Sequence, residues 1–327
     1  MSQYIARRLV YTLVLLVVLS VVAFAIIQLP PGDYLTSYVT LLKAQGQAVD
    51  QALIDALRRQ YGLDQPMYKQ YLLWISGFFR GDFGFSFQWN RPVRELLADR
   101  IGYSIGISLV ALVFTYGVAI PIGIYSATHQ YSLADYVFTV IAFLGMTLPA
   151  FLVALVFMFL AYKYLGLSPG GLFSPQYMTE PWSWAKFKDL LSHLPVPIVI
   201  IALAGTGGTV RVLRALVLDE LRKPYVITAR AKGLKETRLI LKYPVRIALN
   251  PLASTMAWLL PGIVSGEVIV SIVLNLPTTG PLLLNALLAQ DMYLAGSIVM
   301  FLGLLTLVGM LLSDLLLAWL DPRIRYE

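Results

Sequence analysis

Six long apolar segments constrain this chain more than any other feature of its sequence. A helix that crosses the hydrocarbon core of a bilayer needs about 20 consecutive apolar residues. Segments of this kind lie at 9–29, 102–127, 136–165, 194–216, 252–277 and 295–320. Charged residues make up only 13% of the 327 residues, whereas soluble domains carry about 25%. The sequence therefore predicts an all-α polytopic membrane protein with about six transmembrane helices.

The positions of the basic residues predict how these segments are oriented. Arg7 and Arg8 precede the first segment, and Arg323 and Arg325 follow the last. The loop 217–249 carries eight basic residues against three acidic ones. With six spans all three regions fall on one side, which is the cytoplasm by the positive-inside rule. We therefore predict a multi-pass protein of the cell (plasma or inner) membrane with both termini in the cytoplasm, and we attribute the net charge of +7 to topology rather than to nucleic-acid binding.

This topology divides the chain into three predicted parts. Residues 1–29 form the first transmembrane helix, 30–101 an external helical loop subdomain, and 102–327 a five-helix transmembrane core that includes the cytoplasmic loop 217–249. Two shorter external loops follow from the same topology. They are 166–193, which contains Lys186, and 278–294, whose only charge is Asp291.

Helical periodicity within the long external loop predicts short helices there. Ile54, Leu57 and Tyr61 recur at helical spacing before Gly62. Asp64 is a candidate N-cap for a second helix, and Pro92 is a candidate first residue of a third. The apolar face of the second helix is predicted to contain Tyr68, Tyr71, Leu72, Ile75 and Phe78.

The cytoplasmic loop 217–249 contains the most informative stretch, KPYVITARAKGL, at residues 223–234. Pro224 is suited to the first turn of a helix, residues 225–231 suffice for about two turns, and Gly233 permits a turn. A second helix is predicted at 235–247, with span five starting near Pro251. The result is a helix–glycine–helix elbow. By sequence alone, a solvated basic loop anchored to lipid headgroups is an equal alternative.

The run Thr228-Ala-Arg-Ala-Lys-Gly-Leu234 resembles the coupling loop of permease subunits of binding-protein-dependent ABC importers. It is most similar to the oligopeptide, dipeptide and nickel family. Further matches occur in the order of that family along nearly the whole chain. They are Pro31-Gly-Asp33, Tyr61-Gly-Leu-Asp-Gln-Pro66, Gly81-Asp-Phe-Gly84, Arg91-Pro-Val93 and Asp321-Pro-Arg-Ile-Arg-Tyr326.

The resemblance implies a type I ABC importer permease that moves peptides or related small oligomers inward by alternating access. It implies a second permease (identical or homologous), two cytoplasmic ATPase subunits and an external solute-binding protein as partners. ATP and Mg would be used by those ATPases, so this chain is expected to be no enzyme and to bind no cofactor. The predicted ATPase-coupling residues are Tyr225, Thr228, Ala229, Arg230, Ala231, Lys232 and Gly233.

Two departures from the family pattern bear on this interpretation. Pro224 stands where relatives often have an acidic residue, and Ser271 stands where they often have a glutamate. Glu267 lies one helical turn before Ser271, near the middle of span five. A carboxylate at that depth normally faces a cavity or a partner, so both residues are predicted to line the substrate pathway; structural hydrogen bonding is the alternative. An oligosaccharide importer of the same type therefore stays open.

Two other classes of membrane protein fit the sequence less well. The run Gly205-Thr-Gly-Gly208 is followed by no Lys-Ser/Thr and lies in an apolar span, so it is predicted to pack helices rather than bind phosphate. A self-contained secondary transporter predicts internal repeats and several midspan carboxylates. An intramembrane enzyme predicts clustered polar groups in the spans. The sequence shows neither pattern.

Overall fold

The computed structural model describes residues 2–28, 64–165 and 170–320, with isolated positions between 35 and 59. Its elements, in chain order, are helix α1 (Ser2–Gln28), helix α2 (Met67–Phe78), strands β1 (Phe85–Ser86) and β2 (Arg91–Pro92), and helices α3 (Val93–Thr128), α4 (Leu133–Thr147), α5 (Ala150–Leu165), α6 (Trp184–His193), α7 (Pro195–Leu221), α8 (Pro224–Ala231), α9 (Glu236–Lys242), α10 (Pro244–Val273), α11 (Thr279–Leu288) and α12 (Met292–Leu320). The predicted all-α class is confirmed. The predicted helix around residues 54–61 lies largely outside the described residues.

Several of these helices are long and apolar enough to cross a membrane. Within the described part of the chain they are Val10–Gln28, Val93–Thr128, Pro195–Leu221 and Met292–Leu312, and the pair α4–α5 counts as a fifth if it forms one span. The predicted fifth segment corresponds to α10, a helix of 30 residues. The chain is thus a multi-pass membrane protein.

The prediction of a single helix over 136–165 is wrong. The polypeptide bends by 105° between α4 and α5. Pro149 lacks a backbone N–H and disfavours helical geometry at the residue before it, and Leu148 has an extended backbone (φ −80°, ψ 127°). By contrast, Pro121 lies within the uninterrupted α3.

The predicted boundary between the elbow and span five is also wrong. Helix α9 ends at Lys242, and Tyr243 interrupts the helical backbone with φ −113° and ψ −77°. Helix α10 then begins at Pro244 and continues through Pro251. Proline is favoured in the first turn of a helix because its missing N–H would be unpaired there. Pro244, and not Pro251, therefore marks the start of the long helix.

The chain divides into two compact units. The first contains Met1–Gly102 and Thr278–Leu307, and the second contains Tyr103–Pro277 and Val308–Glu327. The N-terminal segment of the first unit ends within one residue of the predicted boundary at 101/102, and this unit also contains residues 278–307, which were predicted to belong to the core. The division into three parts stays a prediction. The external position of residues 30–101 stays a prediction.

The first unit packs aromatic side chains of α2 against α1 and α12. Trp74 is buried in a cluster with Phe24, Met292 and Met300, and Tyr71, Ile75 and Phe78 border it. The predicted apolar face of α2 is therefore only partly right, because Tyr68 and Leu72 are exposed. The predicted cap is wrong: Pro66, not Asp64, directly precedes the helix.

The second unit is centred on α7, which packs against α10 and α4. Outside the long helices, residues 170–193 fold around Lys186. Its Nζ donates a 2.6 Å hydrogen bond to the Glu180 carbonyl oxygen and lies over the rings of Phe173 and Trp182. Lys186 is buried, so this segment is an ordered structure rather than an open loop.

Candidate coupling site

The elbow comprises α8, α9 and the turn between them. Pro224 begins α8, as predicted, and the helix ends in a Schellman motif. The Gly233 N–H donates to the Arg230 carbonyl oxygen at 2.9 Å, and the Leu234 N–H donates to the Ala229 carbonyl oxygen at 3.4 Å. Gly233 has φ +80°, a left-handed conformation that glycine adopts without steric cost. The local sequence thus dictates the turn of the elbow.

A small core of its own holds the two arms together. Val226, Ala229 and Leu239 are buried against one another, and Leu234, Ile240 and Tyr243 border them. Ala229 is only 6% exposed. Its side chain packs inside the elbow, so its predicted contact with an ATPase would require a rearrangement and stays a prediction. Residues 226 and 229 lie on the same face of α8 because they are three apart, and that face packs against Leu239 of α9.

Two polar contacts brace the elbow on its surface. The Arg230 guanidinium donates to both oxygens of Glu236, at 3.0 Å from Nε and 2.5 Å from Nη2, and so bridges the glycine turn. This fork holds the pKa of Glu236 below its ordinary value. The Tyr225 hydroxyl donates to the Glu220 carboxylate at the end of α7. Burial and this carboxylate raise the pKa of Tyr225 well above its ordinary range, so the phenol stays protonated.

The face of α8 turned away from this core is exposed. Ile227 is 57% exposed, and Thr228, Ala231, Lys232 and Gly233 are exposed beside it. The Thr228 hydroxyl donates to the Pro224 carbonyl oxygen at 2.9 Å, which leaves a surface formed largely by apolar and small groups. No motif in the sequence singles out Ile227. Its position one residue from Val226 and two from Ala229 would have placed it on the opposite face once those two were known to be buried.

The elbow is anchored between two long helices that pack together. Leu213 and Val217 of α7 form a buried cluster with Val245, Ala248 and Leu252 of α10 and with Ala127 at the end of α3. Ile240 borders both this base cluster and the core of the elbow. The elbow is therefore joined to the long helices by packed side chains as well as by the chain itself.

The two residues predicted to line a substrate pathway lie elsewhere, in α10. Glu267 and Ser271 are both fully buried, and the Ser271 hydroxyl donates a 2.7 Å hydrogen bond to Glu267 Oε1. In this conformation neither side chain is accessible from outside the chain. Their pathway role stays a prediction that requires a rearrangement to expose them, whereas the hydrogen bond itself matches the structural alternative.

A multi-pass helical protein that holds an exposed helix–glycine–helix elbow between two long helices has the architecture of a membrane permease. Comparison with protein families gives the same class. Residues 119–326 match the family described as binding-protein-dependent transport system inner membrane component, and residues 1–109 match the N-terminal family of the same membrane components. The chain therefore belongs to the family of binding-protein-dependent transport permeases, the membrane subunits of ABC importers.

Curated relatives match over essentially their whole length. The oligopeptide transport system permease protein OppB of Mycobacterium tuberculosis is 35% identical over 329 residues, which cover 99% of each chain. AppB of Bacillus subtilis, named as an oligopeptide transport system permease protein, is 31% identical over 327 residues and all of both chains. OppB of Haemophilus influenzae is 30% identical, again over all of both chains. The chain is a transport permease component.

Proposed function

We propose that this chain is the membrane-spanning subunit of an ATP-driven peptide importer and that its elbow docks onto a cytoplasmic ATPase. The observation that carries the proposal is the construction of the elbow. Its two arms are packed on each other and on the base cluster, yet Ile227, Thr228 and Ala231 face outward. An exposed branched apolar side chain beside small residues suits an apolar cleft on a partner.

The remaining parts of the importer follow from the family and from the charges. A second, related permease pairs with this chain around a central pathway, and an external solute-binding protein delivers substrate. Two ATPases bind and hydrolyse ATP with Mg, so no cofactor is assigned to this chain. We assign the elbow and both termini to the cytoplasm, because the positive-inside rule favours that side for basic residues such as Lys232, Lys235 and Arg238 of the elbow.

Peptides are the proposed substrate because the relatives of comparable length are named for oligopeptide transport. Oligosaccharides are less favoured, since Ser271 in place of a glutamate was the only observation that suggested them. The substrate class is tested on the solute-binding protein that works with this permease, by calorimetry with peptide and oligosaccharide panels. Binding of oligosaccharides alone would exclude the peptide assignment.

The docking role is tested by copurification of the ATPase subunits with a tagged permease. Ile227→Glu places a charge on the exposed face of α8 without entering the core of the elbow, and it should abolish ATPase recovery while membrane insertion is retained. The matched control is Leu133→Glu, because Leu133 is 82% exposed at the start of α4 and outside the elbow. Normal ATPase recovery with Ile227→Glu would refute the docking role.

A further inference from the structure

Helices α4 and α7 form an unusually close antiparallel pair inside the second unit. A Cβ atom on Gly207 would lie 2.4 Å from the Ala142 carbonyl oxygen, and one on Gly145 would lie 2.9 Å from the Leu203 carbonyl oxygen. Both distances are shorter than a van der Waals contact, so only glycine permits this approach. We call the contact line between α4 and α7 the seam. Because it has no room for adjustment, the two helices are expected to move together along it.

A bidentate ion pair closes one end of the seam. Arg214 of α7 donates to Asp135 of α4 through Nε to Oδ1 and through Nη2 to Oδ2, both at 2.8 Å. The Tyr131 N–H also donates to Asp135 Oδ2 at 3.0 Å. Asp135 is 2% exposed. The Arg214 side chain is 26% exposed, so it is the buried carboxylate that would be stranded if the fork opened. A fork of this geometry therefore fixes the orientation of the two helices.

The ion pair lies on the part of α7 that supports the elbow. Arg214 is adjacent to Leu213 and three residues from Val217, and both of these belong to the base cluster. The last turn of α7 also carries Glu220, which accepts the hydrogen bond from Tyr225 of the elbow. A displacement of the elbow therefore acts directly on the turns of α7 that Asp135 holds.

We infer that Asp135 and Arg214 form a coupling brace: they transmit movement of the elbow from α7 into α4, and so into the bent pair α4–α5 of the transmembrane region. The inference rests on the proposed docking function and deepens it. Topology alone would place Arg214 at a membrane surface, but its guanidinium donates to the buried carboxylate of Asp135. Arg211, three residues earlier, is exposed and lies 5.7 Å from the centre of the Phe143 ring, and it provides a matched control on the same helix.

The first experiment measures substrate imported per ATP hydrolysed by the complete importer in proteoliposomes. Arg214→Lys keeps the charge but loses the fork. Arg214→Lys should lower the substrate imported per ATP by about fivefold or more, which is the lower end of typical coupling factors. Recovery of the ATPase subunits should be unchanged. Arg211→Lys should leave the ratio unchanged. A wild-type ratio in Arg214→Lys, or an equal loss in Arg211→Lys, would overturn the brace.

The second experiment measures whether the spacing between α4 and α7 changes when ATP is added. The chain contains no cysteine, so spin labels can be placed at Leu133 on α4 and at Arg222 after α7. With the brace intact, the distance between the labels should be the same with and without ATP. In Asp135→Asn it should shift when ATP is added. A shift of equal size in the otherwise wild-type chain would show that α4 and α7 move independently, and the brace would be excluded.

The two proposals fail in different ways. Normal ATPase recovery with Ile227→Glu removes the docking function itself. If Ile227→Glu loses the ATPase subunits but Arg214→Lys imports as much substrate per ATP as the wild type, the docking function is supported and only the brace is refuted.

Discussion

The hydroxyl of Ser86 donates a 2.6 Å hydrogen bond to the carboxylate of Asp291, a residue 205 positions further along the chain. Asp291 is fully buried. It also accepts from the Gln88 N–H at 3.2 Å and from the Leu294 N–H at 3.3 Å. One carboxylate thus caps the start of α12 and holds the hairpin of β1 and β2 against it.

Replacing Asp291 by alanine should destabilise the first unit. Each buried donor left without an acceptor costs about 1–3 kcal/mol, and Ser86 and Gln88 would both lose theirs. Asp291→Asn keeps one acceptor and should cost less. Thermal unfolding in detergent should give a lower midpoint for Asp291→Ala than for Asp291→Asn. The control is Asp64→Asn, because Asp64 is exposed. Equal midpoints for the alanine and asparagine variants would contradict it.

The same carboxylate predicts a dependence of stability on pH. Burial raises the pKa of Asp291 above its ordinary value. Between the ordinary and the raised pKa the native state holds more protons than the unfolded state, so the free energy of unfolding falls as pH rises. Relative to Asp291→Asn, the wild-type chain should lose stability from about pH 4 upward. Parallel pH profiles of the two proteins would exclude a contribution from this residue.

Ala229→Glu and Ile227→Glu should affect the stability of the elbow differently, although the two positions lie only two residues apart. Overpacking a filled core costs about 1–3 kcal/mol, and a buried unpaired carboxylate adds to it, so Ala229→Glu should open the elbow. A substitution at the exposed Ile227 should change the free energy of unfolding by no more than about 0.5 kcal/mol. Limited proteolysis at the basic residues of α8 and α9 distinguishes them: only Ala229→Glu should be cleaved faster than the wild type.

The contrast between these two residues shows where sequence analysis stops. The order of Pro224, the apolar residues and Gly233 predicts the elbow, because each acts through local backbone chemistry. Which face of α8 is buried depends on how α9 packs on it, which no local pattern specifies. The pair Asp135 and Arg214 was missed for the same reason, since 79 residues separate its members. Pro121 and Pro149 both lie in apolar segments, and only the structure distinguishes the continuous helix from the bend.

The effect of a substitution at Gly233 should depend on how readily the new residue adopts a left-handed backbone conformation, and not on the size of its side chain. A Cβ atom there would meet nothing within 4 Å, so the penalty is conformational, about 1–2 kcal/mol for an ordinary residue at positive φ. Asparagine adopts this conformation more readily than valine. Gly233→Asn should therefore keep ATPase recovery closer to wild type than Gly233→Val. Equal recovery of the ATPase subunits by both variants would show that the left-handed turn is not needed for docking.

Two adjacent glycines of α7 should respond in opposite ways to the same change. Gly207→Ala forces a methyl group into the seam, where the Ala142 carbonyl oxygen is backbone and cannot give way without separating the helices. At Gly208 a Cβ atom would meet nothing within 4 Å, and alanine gains up to about 1 kcal/mol of helix propensity. Gly207→Ala should lower the thermal midpoint, and Gly208→Ala should leave it unchanged or raise it. A lowered midpoint in both variants would mean that the seam is not the cause.

The orientation of the chain is the last prediction, and it can be tested with single cysteines because the native sequence has none. Lys188 is exposed on α6, before the start of α7, and Lys235 is exposed in the turn of the elbow, beyond its end. Since α7 is long enough to cross the bilayer, the two positions should lie on opposite sides. Lys186 is unsuitable because it is buried. In intact cells an impermeant thiol reagent should label Lys188→Cys, and it should label Lys235→Cys only after permeabilisation. The reverse pattern would place the elbow outside the cell, where no ATPase could reach it.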